Sequence, residues 1–313
     1  YAALLNNIDG SANTANGMFT LTNNISGYQN TAIGTMTLNL NLGNGNTGCG
    51  ANALSWNTTV EYNTATGFGA MLLNQQGISN TASGANALFN NINGSENTAT
   101  GVKSLFDNLA GNGNTVYGFE AMYTNKAGSH AVALGKHAMQ YANSTTQAFE
   151  NKNVAVGYQT LRGSASAAVN TGNENTAIGY QALLSTTQGA SNTGIGSSAL
   201  YSNVGGLANT AIGVKALYGN VTGDFNTANG YQALYNNVDG KSNTASGTNA
   251  LFANTAGQHN SAFGDDALKD NTIGDFNVAI GSFSLVSNVA GDKATAVGYG
   301  AMQYINNSGS SFE

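Results

Sequence analysis

The sequence predicts an all-β fold, a parallel β-roll or β-solenoid of about 17 coils with one coil per 17-residue repeat. Three observations predict it. A short phrase ending in Gly returns from one end of the chain to the other: "NTAIG" closes at Gly34, Gly179 and Gly213, "NTATG" at Gly67 and Gly101, "NTASG" at Gly84 and Gly247. Four residues after each marker glycine, from Gly17 to Gly298, stands Leu or Met without exception. Gly supplies 42 residues, Pro none and charged residues only 8%, so the surface is built mostly from Asn, Thr, Ser and Gly.

The consensus unit is N-T-A-x-G-x-x-A-L-x-x-N-x-x-G-x-x. Its opening Asn (Asn13, Asn30, Asn63, Asn80, Asn97, Asn114, Asn175, Asn209, Asn226, Asn243) stacks coil on coil about 4.8 Å apart, a ladder of amides that satisfies turn groups. In the strand that follows, alternation puts Thr and x on one side and Ala and Gly on the other. The Ala column requires another backbone close by. Two neighbours fit: the opposite wall of the same thin coil, or identical chains around a threefold axis, with Ala65, Ala82, Ala99, Ala177, Ala211, Ala228 and Ala245 as the candidates for that contact.

The Leu/Met column, Leu21 through Leu88, Met122 and Leu200 to Met302, is internal. Helical repeats need about 30 residues or more per unit, so two short strands joined by Asn/Gly turns are expected in each coil. Two successive marker steps are 22 residues long, which places loop insertions at 141–153 and 161–175, adjacent in the stack and projecting from one side. No linker interrupts the pattern, so residues 1–313 read as a single repeat domain. Because the chain enters in mid-coil without Met, it is expected to belong to something longer. Stacked at about 4.8 Å, the coils would form a rod of roughly 80 Å.

Charge excludes several function classes. The net charge is −6 and the cations are scattered, so neither nucleic acid nor an anionic membrane surface is an expected partner. No apolar run reaches the roughly 20 residues of a membrane span. Cys49 is the single cysteine, read as a small buried hydrophobe without a disulfide partner in the chain. His130, His137 and His259 have no metal-ligand spacing, and Asp265, Asp266, Asp270 and Asp275 lack the pattern of a Ca²⁺ loop, so no metal or cofactor is expected. No arrangement of nucleophile, base and acid stands out, and the chain reads as a non-enzyme.

At three places the phrase becomes Val132-Ala133-Leu134-Gly135, Val154-Ala155-Val156-Gly157 and Val278-Ala279-Ile280-Gly281, the last two preceded by Asn153 and Asn277. This resembles the N-S-V-A-I-G repeat of the head domains of trimeric autotransporter adhesins. "NTAIGYQALL" at 175–184 is similar to repeats of phage and bacterial tail-fibre-domain proteins. The resemblance implies a left-handed β-roll, a homotrimer, and an extracellular place on a bacterial surface or a phage or virion fibre. The present unit is longer, and Thr usually replaces the first apolar residue of the phrase.

Candidate sites lie outside the phrase. Phe89, Phe106, Tyr123, Tyr201, Tyr218, Tyr235 and Phe252 recur five residues after the marker and adjoin the internal Leu, so alternation turns them outward. An exposed aromatic row could stack on the sugars of a cell-surface glycan or on a protein partner; packing against a neighbouring chain or over a coil edge is the preferred plainer reading. A weaker row follows the marker directly: Phe68, Tyr158, Tyr180, Tyr231 and Tyr299. Glu150, Lys152, Arg162 and Glu174 sit on the protruding loops, which read equally as the place of a specific contact or as decoration without function.

The expected function is a structural or adhesive extracellular fibre or adhesin head, a rigid trimeric rod for multivalent attachment. An ice-binding solenoid is an alternative, on the row Thr14, Thr31, Thr64, Thr81, Thr98, Thr176, Thr210, Thr227 and Thr244. A purely structural filament is another, and a carbohydrate-active enzyme ranks behind both.

Overall fold

The computed structural model describes residues 2–304. The chain is an all-β parallel solenoid of about 17 coils with a repeat near 17 residues, and its one helical segment among the described residues is a 3-10 turn at Ala167–Val169. It divides into two compact units. One comprises the residues up to Lys152 with Ala165–Asn170, the other Asn153–Ser164 with the residues from Thr171 on.

Each coil contributes one three-residue strand. In the first unit these run from Thr14–Asn16, Thr31–Ile33 and Thr47–Cys49 to Val132–Leu134. In the second they run from Val154–Val156 and Thr176–Ile178 to Thr295–Val297. Pairing is parallel and phrase lies on phrase: Thr64 on Thr81 and Ala65 on Ala82, Thr227 on Thr244 and Ala228 on Ala245. Burial fixes this register. The strand Thr64–Thr66 alternates exposed, buried, exposed, so a slip of one residue would turn the threonines inward and the alanine out.

The strand of most coils is therefore fixed by its central Ala, and the rest of the coil by Leu. Leu88, Leu105, Met122, Leu200, Leu217 and Leu234 are completely buried, as are the alanines just before them, such as Ala87, Ala121, Ala199 and Ala216. Met302 is the exception, 44% exposed. A second strand, expected from the sequence, does not form here. Leu200 and Leu217 have φ of +52° and +50°, and Ser198 and Lys215 two residues earlier have +57° in both cases. Left-handed residues at every second position curl the backbone, so the segment cannot pleat. It still bonds between coils: Leu200 N donates to Ala216 O at 3.0 Å and Leu217 N to Ala233 O at 2.9 Å.

A left-handed conformation costs a non-glycine residue about 1–2 kcal/mol. Complete burial of Leu is worth about 1.5–3 kcal/mol. The apolar column thus offsets the strain of the curl that buries it. Where Thr or Ser replaces the Ala before Leu, its hydroxyl is satisfied: Thr20 and Ser104 donate to the carbonyls of Gly17 and Gly101 at 2.9 and 3.0 Å, and Thr37 to Gly50 O of the next coil at 2.6 Å.

The Asn ladder is present. Asn226 Oδ1 accepts from Asn243 N at 3.0 Å, and Asn243 Nδ2 donates to Gly257 O at 2.7 Å. A second ladder runs beside it, through the Asn seven residues after the marker. Asn237 Nδ2 donates to Asn220 Oδ1 at 2.7 Å and to Gly240 O at 3.0 Å, and both side chains are buried. Backbone must come close for this. A Cβ at Gly240 would lie 2.6 Å from Gly257 O and against Asn237 Oδ1, so no larger residue fits that turn. The marker glycine Gly230 has φ of +144°, and a Cβ there would meet Gly247 O at 2.5 Å.

Of the inserted segments, Phe149–Glu150 pairs in parallel with Gly128–Ser129 as a second small sheet of the first unit. Asn170, which closes the 3-10 turn, donates from Nδ2 to Tyr141 O in the same unit.

Candidate binding surfaces

The strands offer the most regular surface. Their Thr and x side chains point outward while Ala points in, and none of the strand triplets of the 17 coils holds a charged residue, from TAN at the first to TAV at the last. Ile33, Ile178, Ile212, Phe263 and Ile280 are each about two-fifths exposed on it, and Val297 more so. Cys49 is exposed in the same column, paired in register with Ile33 and Thr66, and not the buried hydrophobe expected from sequence.

The alanines considered for a threefold contact lie elsewhere. Ala65, Ala82, Ala99, Ala177, Ala211, Ala228 and Ala245 are 0–1% exposed in the single chain. The close neighbour that their size requires is the interior of the same solenoid, as at Gly194, where a Cβ would meet the side chain of Leu183 in the preceding repeat at 3.0 Å. A side chain with no accessible surface has nothing to present to a second molecule, so these residues are core.

The aromatic row is half-buried where the sequence led us to expect exposure. Its rings stack on one another. Phe89, Phe106 and Tyr123 form one column, with centroids 5.0 and 5.1 Å apart, and Tyr201, Tyr218, Tyr235 and Phe252 another, at 5.0, 5.1 and 5.1 Å with interplanar angles of 5–14°. Neighbouring coils bring the same position into register, and ring faces that cover each other cannot stack on a sugar. Burial, then the phenols of Tyr201 and Tyr235, raise the pKa of Tyr218 above the ordinary 10.0. The second row is the exposed one: Phe68, Tyr180, Tyr231 and Tyr299 are each more than half exposed, and Tyr158 stacks on Tyr180 at 5.4 Å.

The loop residues fall in different units. Glu150, exposed, accepts from or pairs with His130 Nδ1 at 2.8 Å in the first unit, where Lys152 is also exposed. Arg162 and Glu174 belong to the second. Arg162, the single arginine of the chain, is half-buried and lines a polar cavity of about 290 Å³ with Gly163, Ser164, Leu184 and Ser185. Glu174 is exposed, with φ of +57°.

Several of the remaining titratable groups make local contacts. His137 Nε2 stands 3.6 Å from Glu120 Oε2, and His259 stacks on Phe276 at 4.9 Å. Asp266 pairs with Lys269 at 3.0 Å, and Asp275 Oδ1 accepts from Gln258 N at 2.7 Å, while Asp265 and Asp270 face solvent. Among the described residues no three His, Cys, Asp or Glu side chains converge as a metal site, and no helix is long and apolar enough to cross a membrane. Compared with known proteins, the sequence matches no family model and no curated protein.

Proposed function

We propose that the protein is the repeat segment of an extracellular structural or adhesive fibre, an adhesin head or tail-fibre-like assembly, in which three copies associate through the outward face of their strands. One observation carries this reading: the outward side chains of the strand triplets, mostly Thr with Ile, Val, Ser and Asn, are half-buried or exposed and free of charge, while among the described residues every Lys, Arg, Asp and Glu lies outside those triplets. Removing such a face from water costs no ion its hydration, and exposed isoleucines gain by burial. A rotation of identical chains closes the contact into a ring and leaves no copy unsatisfied. The phrase's resemblance to trimeric adhesin heads, left-handed rolls at cell or virion surfaces, agrees with it. Multivalent attachment to a cell-surface glycan or protein would then use the faces turned away from the axis.

Cys49 tests the contact directly. Facing a threefold axis, its thiols come within reach of one another, and a short bis-maleimide is expected to join chains into covalent dimers in dilute solution. Thiols that react singly with a monofunctional maleimide and give no dimer would sink this reading.

The same face supports one other reading. The threonines are in register, Thr176 on Thr193 on Thr210 on Thr227, as a surface that orders water would need. Phe263 and Tyr117 in the adjoining column break its flatness, which places ice binding second. Thermal hysteresis of a monomeric protein would reverse that order.

A further inference from the structure

We propose that the Tyr201–Tyr218–Tyr235 column is an oxidative cross-linking site, where phenol rings of adjacent coils join covalently as dityrosine. The three rings lie face to face at 5.0 and 5.1 Å, nearly parallel, and each belongs to a different coil of the same unit. The column ends on Phe252, which shares the stack and has no phenol to react. This inference stands apart from the proposed assembly, since both partners of each bond lie in one chain.

The chemistry needs a one-electron oxidant, here hydrogen peroxide acting through a haem peroxidase. Each of two phenols loses one electron and one proton, giving two phenoxyl radicals whose spin density reaches the ring carbons ortho to oxygen. A carbon–carbon bond forms between two such carbons, the ortho hydrogens shift to the oxygens, and both rings become phenols again. Two hydrogens leave per bond, and one hydrogen peroxide takes them up and becomes two waters. The groups oxidised are neutral phenols, so each loses its proton along with its electron, and Lys215 Nζ, 6.0 Å from the Tyr218 ring centre, disfavours leaving a positive charge on that ring.

The protein contributes proximity. Radicals on free tyrosines must meet by diffusion, whereas the inter-coil bonds, Leu200 N to Ala216 O and Leu217 N to Ala233 O, hold these rings together. The product ties residues 17 positions apart, Tyr201 to Tyr218 or Tyr218 to Tyr235, so the joined coils can no longer unravel separately. The first unit supplies an internal control: its column holds Phe89, Phe106 and Tyr123, the same geometry with one phenol.

The test is oxidation of the full chain by hydrogen peroxide and a haem peroxidase in dilute solution, followed by peptide mass mapping and dityrosine fluorescence. The expected result is cross-linked peptides of one chain that join Tyr201 to Tyr218 or Tyr218 to Tyr235, each short of two hydrogens. Tyr218→Phe, which matches the Phe already present at Phe252, is expected to melt like the parent and to lose both products, with no Tyr201–Tyr235 peptide in their place. Tyr158 and Tyr180, stacked at 5.4 Å, remain in that variant and account for residual fluorescence, which the mapping assigns. If the products join only exposed tyrosines such as Tyr62, Tyr117 and Tyr299 while Tyr201, Tyr218 and Tyr235 stay unmodified, the proposal fails.

Discussion

Asn243 holds three coils together. It bonds to Asn226 on one side, accepts from Asn260 N on the other, and reaches Gly257 O in the turn, all without exposure to water. Asn243→Ala leaves the buried Asn260 amide without its partner and the Gly257 carbonyl with Asn254 Nδ2 alone. An orphaned buried group costs about 1–3 kcal/mol, so a loss of about 2 kcal/mol is expected in urea denaturation, while Thr244→Ala on the outward face changes stability by less than about 0.5 kcal/mol. The first ladder was legible in the sequence because its Asn stands in the repeated phrase beside a readable strand. The second was not read, although Asn220 and Asn237 occupy a fixed place in the consensus. Its signal was the constant spacing from Asn237 to Gly240, since an Asn that bonds a carbonyl three residues on needs a glycine to let the next coil approach.

At the scale of the element, the strand alternation could be read from Thr, Ala and x, because a period of two survives in three residues. The Leu half could not. Propensity favours an extended or helical leucine, and only the stacked coil makes a left-handed Leu200 or Leu217 worth its strain. The same stacking converts an aromatic row, read as exposed because it adjoins the buried Leu, into a column of rings that cover one another. Tyr218 reports on that column. Its phenol pKa is raised in the folded chain, first by burial and then by Tyr201 and Tyr235, so folding favours the protonated form. The contribution to stability is complete below the unfolded value near pH 10.0 and is lost as pH rises through the higher folded value. Melting temperature is therefore expected to fall in that alkaline range, and Tyr218→Phe should flatten the fall. An alkaline profile identical in the two proteins would show that the column does not hold this proton.

At the scale of the whole molecule, repetition makes stability a sum of coil and neighbour terms, and it writes one surface many times over. The Ala column showed in the sequence as a place where something comes very close, but two neighbours satisfied it, and periodicity does not distinguish the inside of a coil from a threefold axis. Burial of Ala65 and Ala211 within the single chain selects the first and moves the proposed contact to the Thr and Ile columns on the opposite side of the strand. The central claim is that this uncharged face is closed by copies of itself. Light scattering after gel filtration, over a wide concentration range, tests it most directly. The account predicts a mass three times that of the 31.8 kDa chain, reduced to one by Ile212→Lys, which would bury three like charges at the axis. A mass of 31.8 kDa at every concentration would contradict it.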